Sequence, residues 1–214
     1  MNPTEPPRIS EAAPRIRIAL ARARLGIATV ALAYLVGVLT GAILAHRGDG
    51  FALRYRDDLV NAALKTSPIL AQSQKGHPGT AAAMDAGGNA AAGLLSLLGG
   101  YCIPAGYWIA LQRGWVGGVV SVDGNHHSRL HTPRDAFYYL TTLVLQLIPY
   151  TLAGGAGVNL GFAAFRSPAG SGYHGRRMRW LRIPFDAICD AMWIYVAALP
   201  LFVIASWFEF SMLG

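Results

Sequence analysis

Residues Leu143 to Gly161 read LVLQLIPYTLAGGAGVNLG. The stretch is apolar enough for lipid, yet it carries Gln146, Pro149, Asn159 and the glycines Gly154, Gly155, Gly157 and Gly161. It can be read as a phosphate loop, as a broken helix lining a path, or as a close-packing helix. A dinucleotide loop needs G-x-G-x-x-G after a strand and at the start of a helix, with an acidic residue about 20 positions on. Gly155, Gly157 and Gly161 miss the last spacing, and no strand-like run precedes them. The pair Gly157/Gly161 is instead at i, i+4, as are Gly37/Gly41 and Gly114/Gly118. That is the small-xxx-small spacing of helices that approach closely in membranes. The stretch therefore reads as a membrane helix, kinked at Pro149.

The rest of the chain agrees. Of its 214 residues 53% are hydrophobic and only 14% charged, against roughly 25% charged in globular chains. The net charge is +7. The arginines flank apolar runs, so they answer to orientation and anionic headgroups; no aromatic-basic RNA motif is present and no nucleic-acid partner is expected. Cys102 and Cys189 have no CxxC partner and read as small buried hydrophobes.

Residues 1–24 read as a disordered to basic N-terminal tail and 25–214 as a helical membrane domain. The run Leu25–Ala45 is long enough to span about 30 Å of hydrocarbon. Residues 46–80 form a polar segment containing a short amphipathic interfacial helix. A second span falls at about Asn89–Leu111, with Pro104 as a kink, followed by the short piece WVGGVVSV. Phe137–Phe165 and Ala187–Met212 are the remaining runs. Four crossings would put the basic N-terminal segment and RRMRWLR on opposite sides, against the positive-inside bias. A fifth segment, short or re-entrant, would reunite them. The expected fold is an all-α polytopic helical membrane protein of four to five membrane segments.

Polar side chains at membrane depth are Asn89, Gln146, Asn159, Asp85, Asp190 and Glu209. Such groups are expensive in lipid and face protein or water. Inter-helix hydrogen bonding accounts for them most simply; a solute path is the sharper reading. Asp186 and Asp190 share a helix face beside RRMRWLR and invite local Arg pairing. His126, His127 and His131 share a loop, and three converging ligands would make them a metal site; their spacing is a weak signal, and interfacial histidines are the plainer account. There is no P-loop, HExxH or G-x-S-x-G, so neither enzyme nor cofactor is expected.

Two blocks resemble the stage II sporulation protein M family of integral membrane proteins. GNAAAGLLSLLGGYCIPAGYWIALQRGWVGGVV supplies Asn89, Gly99, Pro104, an Arg113-Gly114 turn and Gly117. LQLIPYTLAGGAGVNLG supplies Gln146, Pro149, Ala153 to Gly157, and Leu160-Gly161; Gln146 takes the place of a common Glu, and the preceding His-Gly is absent. The resemblance covers roughly residues 25–165. It implies five helical segments without established catalytic residues and a scaffolding role, which in spore formers serves cell-wall remodelling during engulfment.

The function expected is thus a scaffold or accessory subunit of the bacterial cytoplasmic (inner) membrane. Its partners would be the lipid bilayer and other membrane proteins or a homo-oligomer, bound through Gly99, Gly100, Gly114, Gly117, Gly118, Gly154, Gly155, Gly157 and Gly161. The alternative is a small-solute or ion permease using Asn89, Gln146 and Asn159.

Overall fold

The computed structural model describes residues 9–165 and 183–211. These form seven helices: α1 (Ile9–His46), α2 (Gly50–Thr66), α3 (Pro68–Gln74), α4 (Pro78–Tyr101), α5 (Ile103–Val119), α6 (Pro133–Phe165) and α7 (Phe185–Ser211). No strand forms among the described residues, and Val122 and Ser128 make an isolated antiparallel bridge. α1 begins at Ile9, so residues 9–24 are not a separate tail but the first turns of the helix that carries the Leu25–Ala45 run. At 38 residues it is about 57 Å long at 1.5 Å per residue, well beyond a hydrocarbon core.

Among the described residues three helices are long and apolar enough to cross a membrane: α1 from Ala13 onward, α6 and α7. The sequence pattern had suggested four or five. α5, with 17 residues, is too short to qualify. α4 is long enough at 24 residues, but Gly, Thr, Asp85 and Asn89 dilute its apolar character.

Pro104 is not a kink. α4 stops at Tyr101, Cys102 is extended, and Pro104 occupies the first turn of α5. A continuous helix would need a Pro104 N–H and would drive its ring into the carbonyl of Gly100; in a first turn neither problem arises. Gly106 folds back against Gly100, which lets α4 and α5 form a tight hairpin. The Arg113-Gly114 turn is also corrected: both residues lie inside α5. Pro149 lies inside α6 and is buried.

Glycines set the packing. Gly37 of α1 lies on Leu111 and Trp115, and Gly41 on Trp115, Gly118 and Val119, so α1 and α5 run parallel with backbones nearly touching. Gly26 meets Gly155 and Asn159, bringing α1 antiparallel to α6. Gly157 meets Leu97 and Gly100, and Gly161 meets Tyr101, so α4 runs parallel to α6. Gly93 receives the ring of Phe202 from α7. The start of α1, the α4–α5 turn, the end of α6 and the start of α7 therefore share one end of the bundle. At the other end lie His46, the start of α4, the end of α5 and the end of α7. The helical run α2–α3 caps that second end; Asp49 starts α2 by accepting from the N–H groups of Phe51 and Ala52, and Phe51, Tyr55 and Trp115 cluster where α2 touches α5.

Candidate functional site

The polar side chains of α4, α6 and α7 converge between those helices. Asp85 and Asn89 are one turn apart on α4, and Asn89 Nδ2 donates to Asp85 Oδ2 at 2.7 Å. The same carboxylate oxygen accepts from Ser206 Oγ of α7 at 2.7 Å. Tyr150 OH of α6 donates to Asn89 Oδ1 at 2.6 Å, while its ring stands edge-on to Phe202, centroids 5.0 Å apart. Nearer the helix ends, Gln146 Nε2 donates to Glu209 Oε2 at 2.9 Å and Tyr138 OH to the Glu209 carbonyl at 3.1 Å. Three helices are thus tied through side chains whose polar atoms would otherwise face an apolar medium.

Asn89 and Gln146 both belong to this network. Asn159 does not: it lies against Gly26, 13 residues and about 20 Å along α6 from Gln146. Asp190 pairs with Arg22 of α1 at 3.2 Å; RRMRWLR, expected to supply its arginine, lies outside the described residues. Cys102 and Cys189 are free thiols.

The predicted contact glycines are occupied from within the chain. Gly100, Gly155, Gly157 and Gly161 meet backbone of neighbouring helices, Gly114 and Gly118 meet backbone of α1, Gly99 meets Ile109, Gly117 meets Leu143 and Gly154 meets Val30. The open small residues are elsewhere. Gly79 and Gly87 have nothing near them, and with Ala83 and Ala91 they make an exposed row at i, i+4 along α4. This row borders an apolar groove of about 560 Å³ between α4 and α7, walled on the other side by Leu199, Pro200, Val203 and Trp207.

The loop histidines do not converge. His126 Nε2 sits 3.0 Å from Asp57 Oδ2 of α2, and His127 lies 3.9 Å from Asp123. Among the described residues no three His, Cys, Asp or Glu side chains are placed to hold a metal. The loop is instead clamped to helices. The Arg56 guanidinium, 2.8 Å from Asp57, holds that carboxyl below its ordinary pKa, and His126 adds to the effect. Backbone N–H groups of His127 and Asn125 do the same for Asp123. His46 at the end of α1 reaches Ser128 Oγ through Nε2 at 2.8 Å. The two residues are 82 positions apart, so no local motif joins them. His46 is oriented by the Ala42 carbonyl at 2.8 Å, with no carboxylate behind it, and Ser128 Oγ also accepts the Leu130 N–H. Both residues thereby tie the loop down.

Arg113 projects from α5 with its guanidinium carbon 4.7 Å from the Tyr150 ring centroid, within electrostatic reach of Asp85. With Tyr34, Ser96 and Thr151 it lines a small cavity, about 10 Å³, between four helices. No family model matches the chain, and neither a curated protein nor a solved structure matches it.

Proposed function

We propose that the chain is a multi-pass scaffold or accessory subunit of the bacterial cytoplasmic membrane, and that its partner contributes a transmembrane helix to the α4–α7 groove. The observation that carries this reading is the open row Gly79, Ala83, Gly87 and Ala91 beside the groove. Small residues let a second helix backbone approach closely. α4 is long enough but not apolar enough to count as a span on its own, and protein on both sides suits such a helix better than lipid. The partner site is therefore proposed on α4 rather than on the glycines used inside the bundle. In the same reading α4 and α5 are the second and third of five crossings. The resemblance to the stage II sporulation protein M family agrees with a scaffold but names no partner.

Transport is the weaker reading. A permease site needs polar groups around a water-accessible cavity near the midplane. Here Asn89 and Gln146 are spent on Asp85, Ser206, Tyr150 and Glu209, and the adjoining space of about 10 Å³ suits about one water.

The test is site-specific photo-crosslinking in native membranes from Ala83, with exposed Leu35 on α1 as the control position. The expected result is a discrete adduct from Ala83 alone, mapping to a transmembrane segment and lost in Gly87→Leu. Equal labelling of both positions by lipid only would overturn the proposal. An adduct of the chain to itself would make the groove a homo-oligomer contact and the partner a second copy.

A further inference from the structure

The exposed face of α1 changes chemistry at one level along the helix. Leu25, Leu32, Leu35, Leu39 and Ile43 are large apolar side chains exposed on it. Leu25 to Ile43 covers about 27 Å at 1.5 Å per residue, close to the thickness of a hydrocarbon layer. Just before Leu25 the same face carries Arg17, Ala21 and Arg24, all exposed. With 3.6 residues per turn, Arg17, Arg24 and Leu35 lie within about 20° of one direction. The two arginines therefore continue the lipid-facing stripe, and they do so where the apolar run ends.

The other arginine at this level has a different task. Arg22 stands about 160° around the helix from Arg24 and pairs with Asp190 of α7 at 3.2 Å, which ties α1 into the bundle. Arg17 and Arg24 face away from that acid. They are seven residues apart, about 10 Å along the axis, and a headgroup layer is about 5–8 Å deep on each side of the hydrocarbon. Arg24 thus stands at the base of the headgroups and Arg17 at their outer edge. Side chains lean toward the start of a helix, so the Arg24 guanidinium is carried out of the hydrocarbon and toward Arg17. Ala21 between them and the exposed Ala28 one turn below Arg24 leave the helix surface open to a close approach. A guanidinium fork matches the oxygens of a phosphate. A zwitterionic headgroup would bring its own cation against the two arginines; an anionic one brings none.

We propose that Arg17 and Arg24 form a binding site for an anionic phospholipid of the leaflet at this end of the bundle. Its phosphate lies in the arginine forks, its glycerol against Ala21, and its acyl chains run down α1 past Ala28, Leu32 and Leu35. This site is independent of the α4–α7 groove.

The experiment uses the full chain in nanodiscs of phosphatidylcholine containing a minor share of phosphatidylglycerol. Phosphatidylglycerol retained by the chain is read by native mass spectrometry. A photoactivatable phosphatidylglycerol with its diazirine near the headgroup is crosslinked and the adducts are mapped by peptide mass spectrometry. Adducts are expected to concentrate within residues 17–28 and to be competed by phosphatidylglycerol but not by phosphatidylcholine. Arg17→Gln with Arg24→Gln is expected to weaken binding about thirty-fold, roughly five-fold for each arginine, with the melting temperature in phosphatidylcholine alone maintained. Arg47→Gln with Arg134→Gln removes the same charge at the other end, where both residues are exposed, and is expected to leave labelling of residues 17–28 unchanged. Should the first pair fail to fold together, Arg17→Gln alone decides through its five-fold loss. Equal labelling by the two lipids, labelling indifferent to the loss of Arg17 and Arg24, or an equal fall in both double variants overturns the proposal and leaves a general surface charge.

Discussion

Asn89 carries more of the bundle's polar bonding than any single position on its helix would suggest. Its amide donates to Asp85 and to Ser206 and accepts from Tyr150, so one side chain links α4, α6 and α7. Asn89→Ala leaves the Tyr150 hydroxyl without its acceptor and Asp85 with one donor fewer. The expected cost is about 1–3 kcal/mol for each buried group left unsatisfied, read as a lower midpoint of denaturation in micelles. A midpoint equal to wild type would show that lipid or water satisfies these groups and that the network does not hold the helices. Asn89 and Gln146 stand out in the sequence as costly residues in apolar runs. So do Asp85 and Glu209, but the pairings do not: Ser206 is 117 residues from Asn89 and Glu209 is 63 from Gln146, and nothing local couples such positions. Arg113 is illegible for the same reason, since its partner ring, Tyr150, is on another helix.

At the level of the helix, spacing identified which residues are small but not what they are small for. Gly37/Gly41 and Gly114/Gly118 are both i, i+4 pairs, and they face each other across the α1–α5 seam. The row Gly79, Ala83, Gly87, Ala91 has the same spacing and faces outward. A methyl group tells the two classes apart. Gly114→Ala drives a Cβ into the Tyr34 carbonyl and is expected to cost about 1–3 kcal/mol through a backbone shift. Gly87→Ala meets open space and is expected to be neutral or to stabilise by up to about 1 kcal/mol, because alanine loses less backbone entropy in a helix. Thermal unfolding of the two purified variants checks both signs. Equal destabilisation would mean that α4 is covered within the chain and its row is not open. Proline illustrates the same divide. Pro104 and Pro149 look alike in apolar runs, yet the first starts a helix and the second sits within one, according to whether the preceding turn has ended.

For the whole molecule, the helix directions bear on the charge pattern that four crossings could not satisfy. Arg15, Arg17, Arg22 and Arg24 lie at the start of α1, and the arginine-rich segment 166–182 joins the end of α6 to the start of α7. That segment lies outside the described residues; the two helix ends it joins share the end of the bundle where α1 begins, which is the arrangement expected for a cytoplasmic face. With α4 and α5 as crossings, thiol reagents confined to one side of the membrane are expected to label a cysteine placed at Lys75 and one placed at Arg134 from the outside only. A cysteine at Ser171 should be labelled only after permeabilisation. Labelling of positions 75 and 171 from the same side would remove the α4 crossing.

The sequence by itself determined that the chain is helical and belongs in a membrane, because length, apolar content and charge placement are local and additive along the chain. It also marked the small residues and the costly polar ones. Only the tertiary structure decided which glycines are consumed in seams and which stay open, that Asn89 and Gln146 find acids and hydroxyls, and that Arg113 lies over the Tyr150 ring. Each of those outcomes depends on the rotation of one helix about its axis relative to its neighbours, and backbone contacts from distant segments set that rotation.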